Sequence, residues 1–305
     1  MIDNNLWINS LIGIGGSSKV YLVSDSDDQK FAAKIVRQDK GYKKDYAENL
    51  ILREFIIMDK LKEHPNILKW YSWVQEGFVS NECGFMPIMY NLVEYCSNGS
   101  LASLIKTSGP FNENVAKFMF LQISHAIDYM HSLNIAHLDI KLENIMLDEY
   151  YNTKIADLGS ASCLQKSKGI LSEIKGTPSY MAPEISEYKG AYNGFKADVY
   201  SLGVCLFAMI FGSLPFKDNN EESTSSSDKE MILNKTILNI SCELWDSLDL
   251  KLRDLLMGML AKDPAKRLSM AEVMNHAWIN EYDANWTPNI IYSEITELNN
   301  QEMDF

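Results

Sequence analysis

The chain has 305 residues, which is enough for two domains or lobes around a sizeable core. Hydrophobic residues make up 46% of it and charged residues 23%, proportions that indicate an ordinary folded protein and exclude a disordered or fibrous chain. The formal net charge of −13 disfavours binding to nucleic acids or to anionic lipids through a general basic surface.

The first third of the chain predicts a small β-rich lobe. Runs of apolar and β-branched residues separated by turn-forming residues indicate strands, and a switch to helical spacing of apolar residues indicates one helix. In chain order, the predicted elements are strands at 6–12, 20–24 and 30–36, a helix at 45–62, and strands at 67–74 and 88–94. The segment His64-Pro65-Asn66 ends the predicted helix.

The rest of the chain predicts a larger, mostly α-helical lobe. The turn-forming segment 96–100 interrupts the strand pattern, so we set the boundary between the lobes there. Amphipathic helical runs follow at 113–133, 198–211, 249–261 and 269–278. The polar segment 217–230 is expected to be a solvated loop. The expected fold class is therefore α+β and bilobal, with domains at 6–95 and 96–282 and an acidic tail at 283–305.

A glycine-rich segment lies between the first two predicted strands. It reads Gly13-Ile14-Gly15-Gly16-Ser17-Ser18, and residues without a β-carbon allow backbone N–H groups to approach a polyphosphate closely. On its own, however, the segment is better interpreted as a Gly-rich hairpin turn.

Two charged residues stand in apolar surroundings, one on a predicted strand and one on the predicted helix. Lys34 interrupts the apolar strand 31–36, where an unpaired ammonium would be unfavourable. Glu54 lies four residues from both Leu50 and Met58, and therefore on the buried face of the helix. We expect the two charges to form one ion pair that holds Lys34 toward a phosphate group. The alternative is that Lys34 extends to solvent.

A polar segment, His137-Leu138-Asp139-Ile140-Lys141-Leu142-Glu143-Asn144, precedes a predicted hairpin with strands at 145–147 and 153–156. Antiparallel pairing of these strands is expected to bring Asn144 beside Asp157, where their side-chain oxygens would suit Mg²⁺ together with substrate phosphates. Asp139 can then meet an attacking hydroxyl, and Lys141 can neutralise charge on the phosphoryl group. A polar loop with surface carboxylates is the alternative for this segment taken alone.

In their order and spacing, these motifs resemble the eukaryotic protein kinases from about Leu6 to Tyr282. The matching motifs are the Gly-rich loop, Ala32-x-Lys34, Glu54, His137-x-Asp139, Asn144, Asp157-x-Gly159 and Ala182-Pro183-Glu184. The ordered set is far more specific than any one of its members. The resemblance implies a bilobal kinase fold and the use of ATP and Mg²⁺ as cofactors.

Further matches indicate the branch of the family. Lys141 and Gly176-Thr177-Pro178 resemble Ser/Thr kinases, so the resemblance implies transfer of the γ-phosphoryl group of ATP to Ser or Thr hydroxyls of protein substrates. The segments 263–267 and 276–278 are most similar to the calcium/calmodulin-dependent kinase group. Residues 281–305 contain six acidic residues and no basic one, which disfavours a calmodulin-binding helix there.

The resemblance also implies a role for each matching residue. Asp139 would be the catalytic base, with Lys141 beside it, and Lys34 would contact the α- and β-phosphates while it pairs with Glu54. The implied metal ligands are Asn144 and Asp157. The implied ATP-binding residues are Ile12, Gly13, Gly15, Gly16, Ser17, Ser18, Val20, Ala32, Lys34, Val93, Glu94, Cys96 and Met146.

Within the nucleotide site, the resemblance implies a separate role for each residue. Val93 would gate the pocket, and backbone groups of Glu94 and Cys96 would bond adenine. The residues implied to enclose the ring are Val20, Ala32 and Met146. Asp198 would anchor the catalytic loop, and Arg267 would pair with Glu184.

Three positions depart from the family pattern. Ser18 replaces the third loop glycine, which is expected to weaken nucleotide binding only slightly, and Leu158 replaces a phenylalanine while keeping an apolar group behind Glu54. Leu138 replaces an arginine that a phosphorylated activation loop usually neutralises. Because Glu173 stands where a phosphothreonine is common, we expect an enzyme that needs no activation-loop phosphate.

Two other interpretations of the motifs were weighed. A pseudokinase would keep the fold as a binding module, but such proteins usually lose a phosphate-binding lysine, a metal ligand or the catalytic aspartate, and this chain keeps all of them. A small-molecule kinase is disfavoured because Gly176-Thr177 and Ala182-Pro183-Glu184 are typical of a peptide platform.

The five cysteines and the chain start bear on the compartment. The cysteines are scattered and lack Cys-x-x-Cys spacing, so neither a disulfide framework nor a zinc site is indicated. Residues 1–5 lack the features of a signal peptide, and the longest apolar stretch, 202–211, is too short to span a bilayer. A cytoplasmic protein is expected, with entry into the nucleus left open.

Overall fold

A computed structural model describes most of the chain. The described residues are 1–15, 18–36, 44–61, 64–81, 84–164, 169–187, 190–215, 242–281, 290 and 293–296. Gly16 and Ser17 of the predicted nucleotide loop and the predicted loop 217–230 lie outside these ranges.

The N-terminal part of the chain forms a five-stranded antiparallel sheet with one helix. The strand order across the sheet is β1-β2-β3-β5-β4, so β3 and β5 lie inside it and β4 lies at an edge. The elements are β1 (Trp7–Ile14), β2 (Ser18–Ser24), β3 (Lys30–Val36), α1 (Lys44–Lys60), β4 (Trp70–Asn81) and β5 (Gly84–Glu94). The predicted three-strand start and the following helix are therefore confirmed.

The last two strands of this sheet are longer than predicted. The sequence indicated strands at 67–74 and 88–94, whereas β4 and β5 form a long hairpin that pairs Asn81 with Gly84 near its tip. Gly77 lies inside β4, although glycine usually weakens a strand. Here its missing side chain makes room for a neighbour, since a β-carbon would lie 2.8 Å from the ring of Tyr90.

The C-terminal part of the chain is mainly helical. Its helices are α2 (Leu101–Ser108), α3 (Glu113–Ser132), α4 (Pro183–Ser186), α5 (Gly194–Phe211), α6 (Cys242–Ser247), α7 (Leu250–Met259), α8 (Met270–Met274) and α9 (Ala277–Asn280). Asn112 caps α3 and Ser269 forms a capping box with Glu272 on α8, which explains where these helices begin. The chain thus has the predicted bilobal α+β fold.

Helix α5 is the apolar centre of the C-terminal lobe. Its 18 residues have a mean hydropathy of 1.5, which by length and composition alone would suffice to cross a membrane. Within the fold, however, 83% of this helix is buried, so its apolar character is accounted for by packing in the core.

Short strand pairs lie between α3 and α5 and surround the cleft between the lobes. They are β6 (Ile135–Ala136) with β9 (Ser162–Cys163), β7 (Ile145–Leu147) with β8 (Thr153–Ile155), and β10 (Ile170–Leu171) with β11 (Tyr192–Asn193). In the β7–β8 hairpin, Ile145 pairs with Ile155, and the Ala156 N–H donates to the Asn144 carbonyl at 2.9 Å. Ala156 therefore lies opposite Asn144, and the expected partner Asp157 lies one residue further on.

Residues near both chain ends pack against the lobes. Ile2 is fully buried in the apolar cluster of the N-terminal sheet and bridges to Val79 of β4. Ile295 is fully buried in the core of the C-terminal lobe, and Asn112 donates to Glu294 at 2.8 Å. The N-terminal lobe thus includes residues before 6, and part of the acidic tail packs against the C-terminal lobe.

Candidate active site

A partly buried ion pair connects β3 to α1. The Lys34 ammonium lies 2.9 and 3.0 Å from the two Glu54 carboxylate oxygens, and Glu54 is 6% exposed. The same ammonium lies 2.9 Å from Asp157 Oδ1. One lysine thus joins the sheet, the helix and the start of the activation segment at the floor of the cleft.

The charge state of this lysine is set by its two acidic partners. Burial alone would lower the pKa of Lys34, but the attraction of Glu54 and Asp157 outweighs burial and raises the pKa above its usual value. Conversely, the Lys34 ammonium lowers the pKa of the Asp157 carboxyl. The mutual attraction of Lys34 and Asp157 therefore favours the charged form of both groups, as contact with a metal-bound polyphosphate would require.

Asp139 lies in a second group of polar contacts. Its Oδ1 accepts a 2.7 Å hydrogen bond from the Thr177 hydroxyl, and its Oδ2 lies 2.9 Å from the Lys141 ammonium. Lys141 also donates to the Thr177 hydroxyl at 2.8 Å. Residues of the catalytic loop and of the activation segment thus hold the Asp139 carboxylate in a fixed orientation.

Helix α5 holds the backbone of the catalytic loop, residues 137–144, through Asp198. Both oxygens of the buried Asp198 carboxylate accept N–H bonds from this loop, one from His137 and one from Leu138, each at 2.8 Å. His131 of α3 binds the same carboxylate at 2.9 Å. Leu138 adopts a positive φ of 64°, a conformation that such contacts must stabilise in a residue with a branched side chain.

Asn144 and Asp157 lie on either side of the β7–β8 hairpin end. The Asn144 amide nitrogen donates to the Asp139 carbonyl at 2.9 Å, which leaves its Oδ1 as the coordinating atom. Asp157 has a left-handed backbone (φ 59°), and 47% of its side chain is exposed. An amide oxygen and an accessible carboxylate are ligands that suit Mg²⁺, so the residues present fit the implied metal.

The first group of predicted nucleotide-binding residues lies on β1 and β2 and in the loop between them. Gly13 pairs with Val20 across β1 and β2, and the Gly15 N–H donates to the Ser18 carbonyl at 2.8 Å, which closes the described part of the Gly-rich loop. Ile12 is 44% exposed on β1. The side chain of Val20 is only partly buried, which leaves apolar surface above the cleft.

The segment that links the lobes contributes the other nucleotide residues. Ala32 pairs with Val93 across β3 and β5, and both are buried. The Glu94 N–H donates to the Lys69 carbonyl at 2.8 Å, so it is already used within the sheet. Among the described residues, the Cys96 N–H has no acceptor and is therefore free for a ligand. Met146 is half-buried on β7.

Two residues of the site were not singled out by sequence reasoning. Asn91 of β5 lies opposite Lys34, is 1% exposed, and donates to Glu54 at 3.3 Å. Its signal was available, because an amide inside an apolar strand requires a polar partner. The sequence indicated Thr177 as a branch signature and as part of the peptide platform, but its bridge between Lys141 and Asp139 depends on contacts between segments 36 and 38 residues apart.

The cysteines of the site region should differ in reactivity. Burial raises the pKa of the Cys96 thiol to about 12, and it raises the pKa of Cys205 well above its usual value. Cys163 is exposed. We expect iodoacetamide at pH 8 to alkylate Cys163 in the folded protein and to spare the other two, as measured by peptide mass spectrometry. Equal labelling of all three is expected only in urea, and rapid labelling of Cys96 in the folded protein would contradict the burial.

Comparison with known proteins agrees with this geometry. Residues 7–279 match the protein kinase domain. Among curated relatives, CBL-interacting serine/threonine-protein kinase 16 of Arabidopsis thaliana is 32% identical over 298 residues, which cover 94% of this chain and 58% of the relative. CBL-interacting protein kinase 11 of Oryza sativa subsp. japonica is 36% identical over 275 residues, which cover 89% and 50%.

A third relative comes from yeast. The cell cycle serine/threonine-protein kinase CDC5/MSD2 of Saccharomyces cerevisiae is 33% identical over 288 residues, which cover 93% of this chain and 38% of the relative. The chain spans about half the length of the curated relatives it matches. With the fold, the site and the domain match in agreement, the chain belongs to the protein kinase family. Members of this family act on protein substrates with ATP and generally with Mg²⁺.

Proposed function

We propose that this chain is a protein kinase that transfers the γ-phosphoryl group of Mg-ATP to Ser or Thr hydroxyls of protein substrates. The observation that carries the proposal is the joint geometry of two clusters. Lys34 connects Glu54 and Asp157 at 2.9 Å from each, while Lys141 and Thr177 hold the Asp139 carboxylate at 2.9 and 2.7 Å. Two relatives that are named as serine/threonine-protein kinases support the choice of hydroxyl.

The nucleotide would bind in the cleft between the lobes. The Cys96 N–H is available for adenine, and Ala32 and Val93 offer apolar surface near it. Lys34 would bind the α- and β-phosphates, since it is the cation at the floor of the cleft and Glu54 fixes its direction. Asn144 and Asp157 would hold Mg²⁺, which when bound neutralises charge on the phosphates.

The acceptor hydroxyl would approach from the side of Asp139. Proton transfer from that hydroxyl to the Asp139 carboxylate would accompany its attack on the γ-phosphorus, and ADP would leave with the electron pair of the broken P–O bond. The Lys141 ammonium, 2.9 Å from Asp139, would stabilise negative charge on the transferred group. Thr177 orients both side chains through its single hydroxyl.

A binding module that retains the fold is the alternative function. It is disfavoured because every charged group of the proposed site has an oriented partner, and because the Asp157 carboxylate stays accessible at 47% exposure. A module that had lost catalysis would have no need to keep the bridge of Lys141 and Thr177 to Asp139.

Partners and compartment follow from the sequence and belong to the same proposal. We expect protein substrates, no nucleic acid partner because of the net charge of −13, and no calmodulin binding by the base-free segment 281–305. We also expect a cytoplasmic location, with entry into the nucleus left open. Interaction with CBL, which the names of two relatives state, is a property of those proteins.

A phosphotransfer assay tests the proposal directly. The full chain is incubated with labelled ATP, Mg²⁺ and casein as a generic acceptor, and phosphoamino acids are then separated. We expect phosphoserine and phosphothreonine, no phosphotyrosine, and no incorporation when EDTA removes Mg²⁺. Equal incorporation by the wild type and by Asp139→Asn would overturn the proposal in favour of a binding module.

A further inference from the structure

The activation segment makes an unusual contact just before Thr177. The Lys175 ammonium donates to the Ser162 hydroxyl at 2.9 Å and lies 3.1 Å from Glu173 Oε2. The Lys175 side chain is only 21% exposed, whereas the Glu173 side chain is 69% exposed. Lys175, two residues before Thr177, thus packs against the protein surface at Ser162 and does not extend to solvent.

Ser162 belongs to a strand that is tied to the catalytic loop. It pairs with Ala136 in the β6–β9 ladder, and Ala136 directly precedes the segment that carries Asp139. The contact between Lys175 and Ser162 therefore connects the two backbone segments that supply Asp139 and Thr177. A shift of either segment would change the distance between the Asp139 carboxylate and the Thr177 hydroxyl, now 2.7 Å.

Gly176, between Lys175 and Thr177, brings the activation segment into close contact with the catalytic loop. Gly176 has a φ of 106°, and a β-carbon there would lie 2.6 Å from the Leu138 carbonyl oxygen. The activation segment thus packs against the backbone of the catalytic loop with no side chain between them. Leu138 is itself buried and apolar, so no buried cation at that position needs a phosphate for charge balance.

The preceding part of the segment is held without a phosphate as well. The Tyr192 hydroxyl donates to the Glu173 carbonyl at 2.8 Å, and Ile170–Leu171 pairs with Tyr192–Asn193 in an antiparallel ladder. Kinase activation segments are commonly ordered by pairs between arginine and a phosphorylated residue. In the described part of this segment, backbone pairing and the contact of Lys175 with Ser162 order the chain in place of such a pair.

We propose that Lys175 is a positioning residue, which anchors the residues just before Thr177 to Ser162 of β9 and so holds Thr177 against Asp139 without phosphorylation of the activation segment. The proposal rests on the proposed kinase function. The hydrogen bond to Ser162 carries the effect, because a charge-assisted bond in a partly buried place is strong. The pair with Glu173 contributes little, because exposed ion pairs are screened by solvent.

Four variants of the full chain separate these contributions. Lys175→Met keeps the length of the side chain and removes its charge, and Ser162→Ala removes the acceptor from the other side. Lys175→Arg is the conservative rescue, since a guanidinium can still donate to Ser162. Glu173→Gln is the matched control, because it removes only the exposed ion pair.

The kinetic test uses protein treated with phosphatase, with the absence of phosphate verified by intact mass spectrometry. We expect the wild type to phosphorylate casein in this state, and Lys175→Met and Ser162→Ala each to lower kcat about tenfold. The KM for ATP should change less than about twofold, because the nucleotide residues are untouched. The double variant should be no worse than either single one, since both remove the same bond.

Conservative and control variants complete the kinetic comparison. Lys175→Arg should keep kcat within about threefold of the wild type, and Glu173→Gln within about twofold. Inactivity of phosphate-free wild type that is reversed by phosphorylation would overturn the proposal. Wild-type kcat in both Lys175→Met and Ser162→Ala would do the same.

A second measurement is independent of catalysis. Hydrogen exchange of the amides of residues 169–176 should be faster in Lys175→Met and Ser162→Ala than in the wild type and in Glu173→Gln. If no variant, the wild type included, phosphorylates any substrate, the proposed function fails while exchange still reports on the anchor. Unchanged exchange in both variants would overturn the anchor itself.

Discussion

Replacing Asp139 by asparagine should lower kcat by about a hundredfold to ten-thousandfold, the range that general base catalysis contributes. Asparagine has the same shape and can still accept from the Thr177 hydroxyl, which donates to Asp139 at 2.7 Å. It cannot take the proton of the acceptor hydroxyl, and it loses the ionic contact with Lys141 at 2.9 Å. Nucleotide affinity should persist, because Lys34 and Asp157 are unaffected. Steady-state assays and calorimetric titration with Mg-ATP measure the two quantities.

The control for this variant is Asp128→Asn, which makes the same chemical change on the exposed face of α3. Its kcat should equal that of the wild type within experimental error. The assignment of Asp139 as the base would be wrong if both variants retained full kcat. Loss of nucleotide binding in Asp139→Asn would instead point to a general disturbance of the cleft.

The contacts around Asp139 show which part of the site could be predicted from the sequence. Lys34 and Glu54 were recognisable because each is a charge in an apolar pattern, and a buried charge requires a partner. A sequence can indicate this pairing, which the structure shows at 2.9 Å, because Glu54 is the acidic residue placed on the apolar face of the neighbouring helix. Lys175 gave no such signal, because it does not interrupt a regular apolar pattern.

The fold was predictable to a similar and limited degree. The limits of β3 at Lys30–Val36 follow from local composition, and the prediction matched them. The outer ends of β4 and β5 could not be predicted, because an edge strand such as β4 contains exposed residues without regular alternation. The burial of Ile2 and Ile295 depends on contacts with distant segments, and no local pattern reports such contacts.

The register of the β7–β8 hairpin illustrates the same limit on a finer scale. The sequence predicted Asn144 beside Asp157, whereas Asn144 pairs with Ala156. The turn of the hairpin, closed by Asp148 through bonds from the Tyr150 and Asn152 N–H groups, sets the register. The predicted strand limits agree with this turn, but which residue stands directly opposite Asn144 depends on the exact register, which strand patterns alone do not give.

Replacing Arg267 by methionine should lower the free energy of unfolding by about 3–5 kcal/mol, the range for breaking one partner of a buried ion pair. The Arg267 side chain is fully buried and donates to both Glu184 oxygens, at 2.7 and 2.8 Å. It also donates to the carbonyls of Ala261 and Lys196 at 3.0 and 2.8 Å. Methionine fills a similar volume but leaves the Glu184 carboxylate and the Ala261 carbonyl without the donors that Arg267 supplies. Urea unfolding followed by tryptophan fluorescence measures the loss.

The matched control is Arg253→Met, because Arg253 pairs at 3.1 Å with an Asp246 carboxylate that is 71% exposed. Its loss should be about 1 kcal/mol or less. Adding Glu184→Leu to Arg267→Met should recover only part of the stability, since the carboxylate is removed but the hydrogen bond to the Ala261 carbonyl stays lost. Equal losses in Arg267→Met and Arg253→Met would contradict a structural role for the buried pair. Because Glu184 stands at the end of the activation segment, a loss confined to Arg267→Met would show that the buried pair fixes this end to the C-terminal lobe.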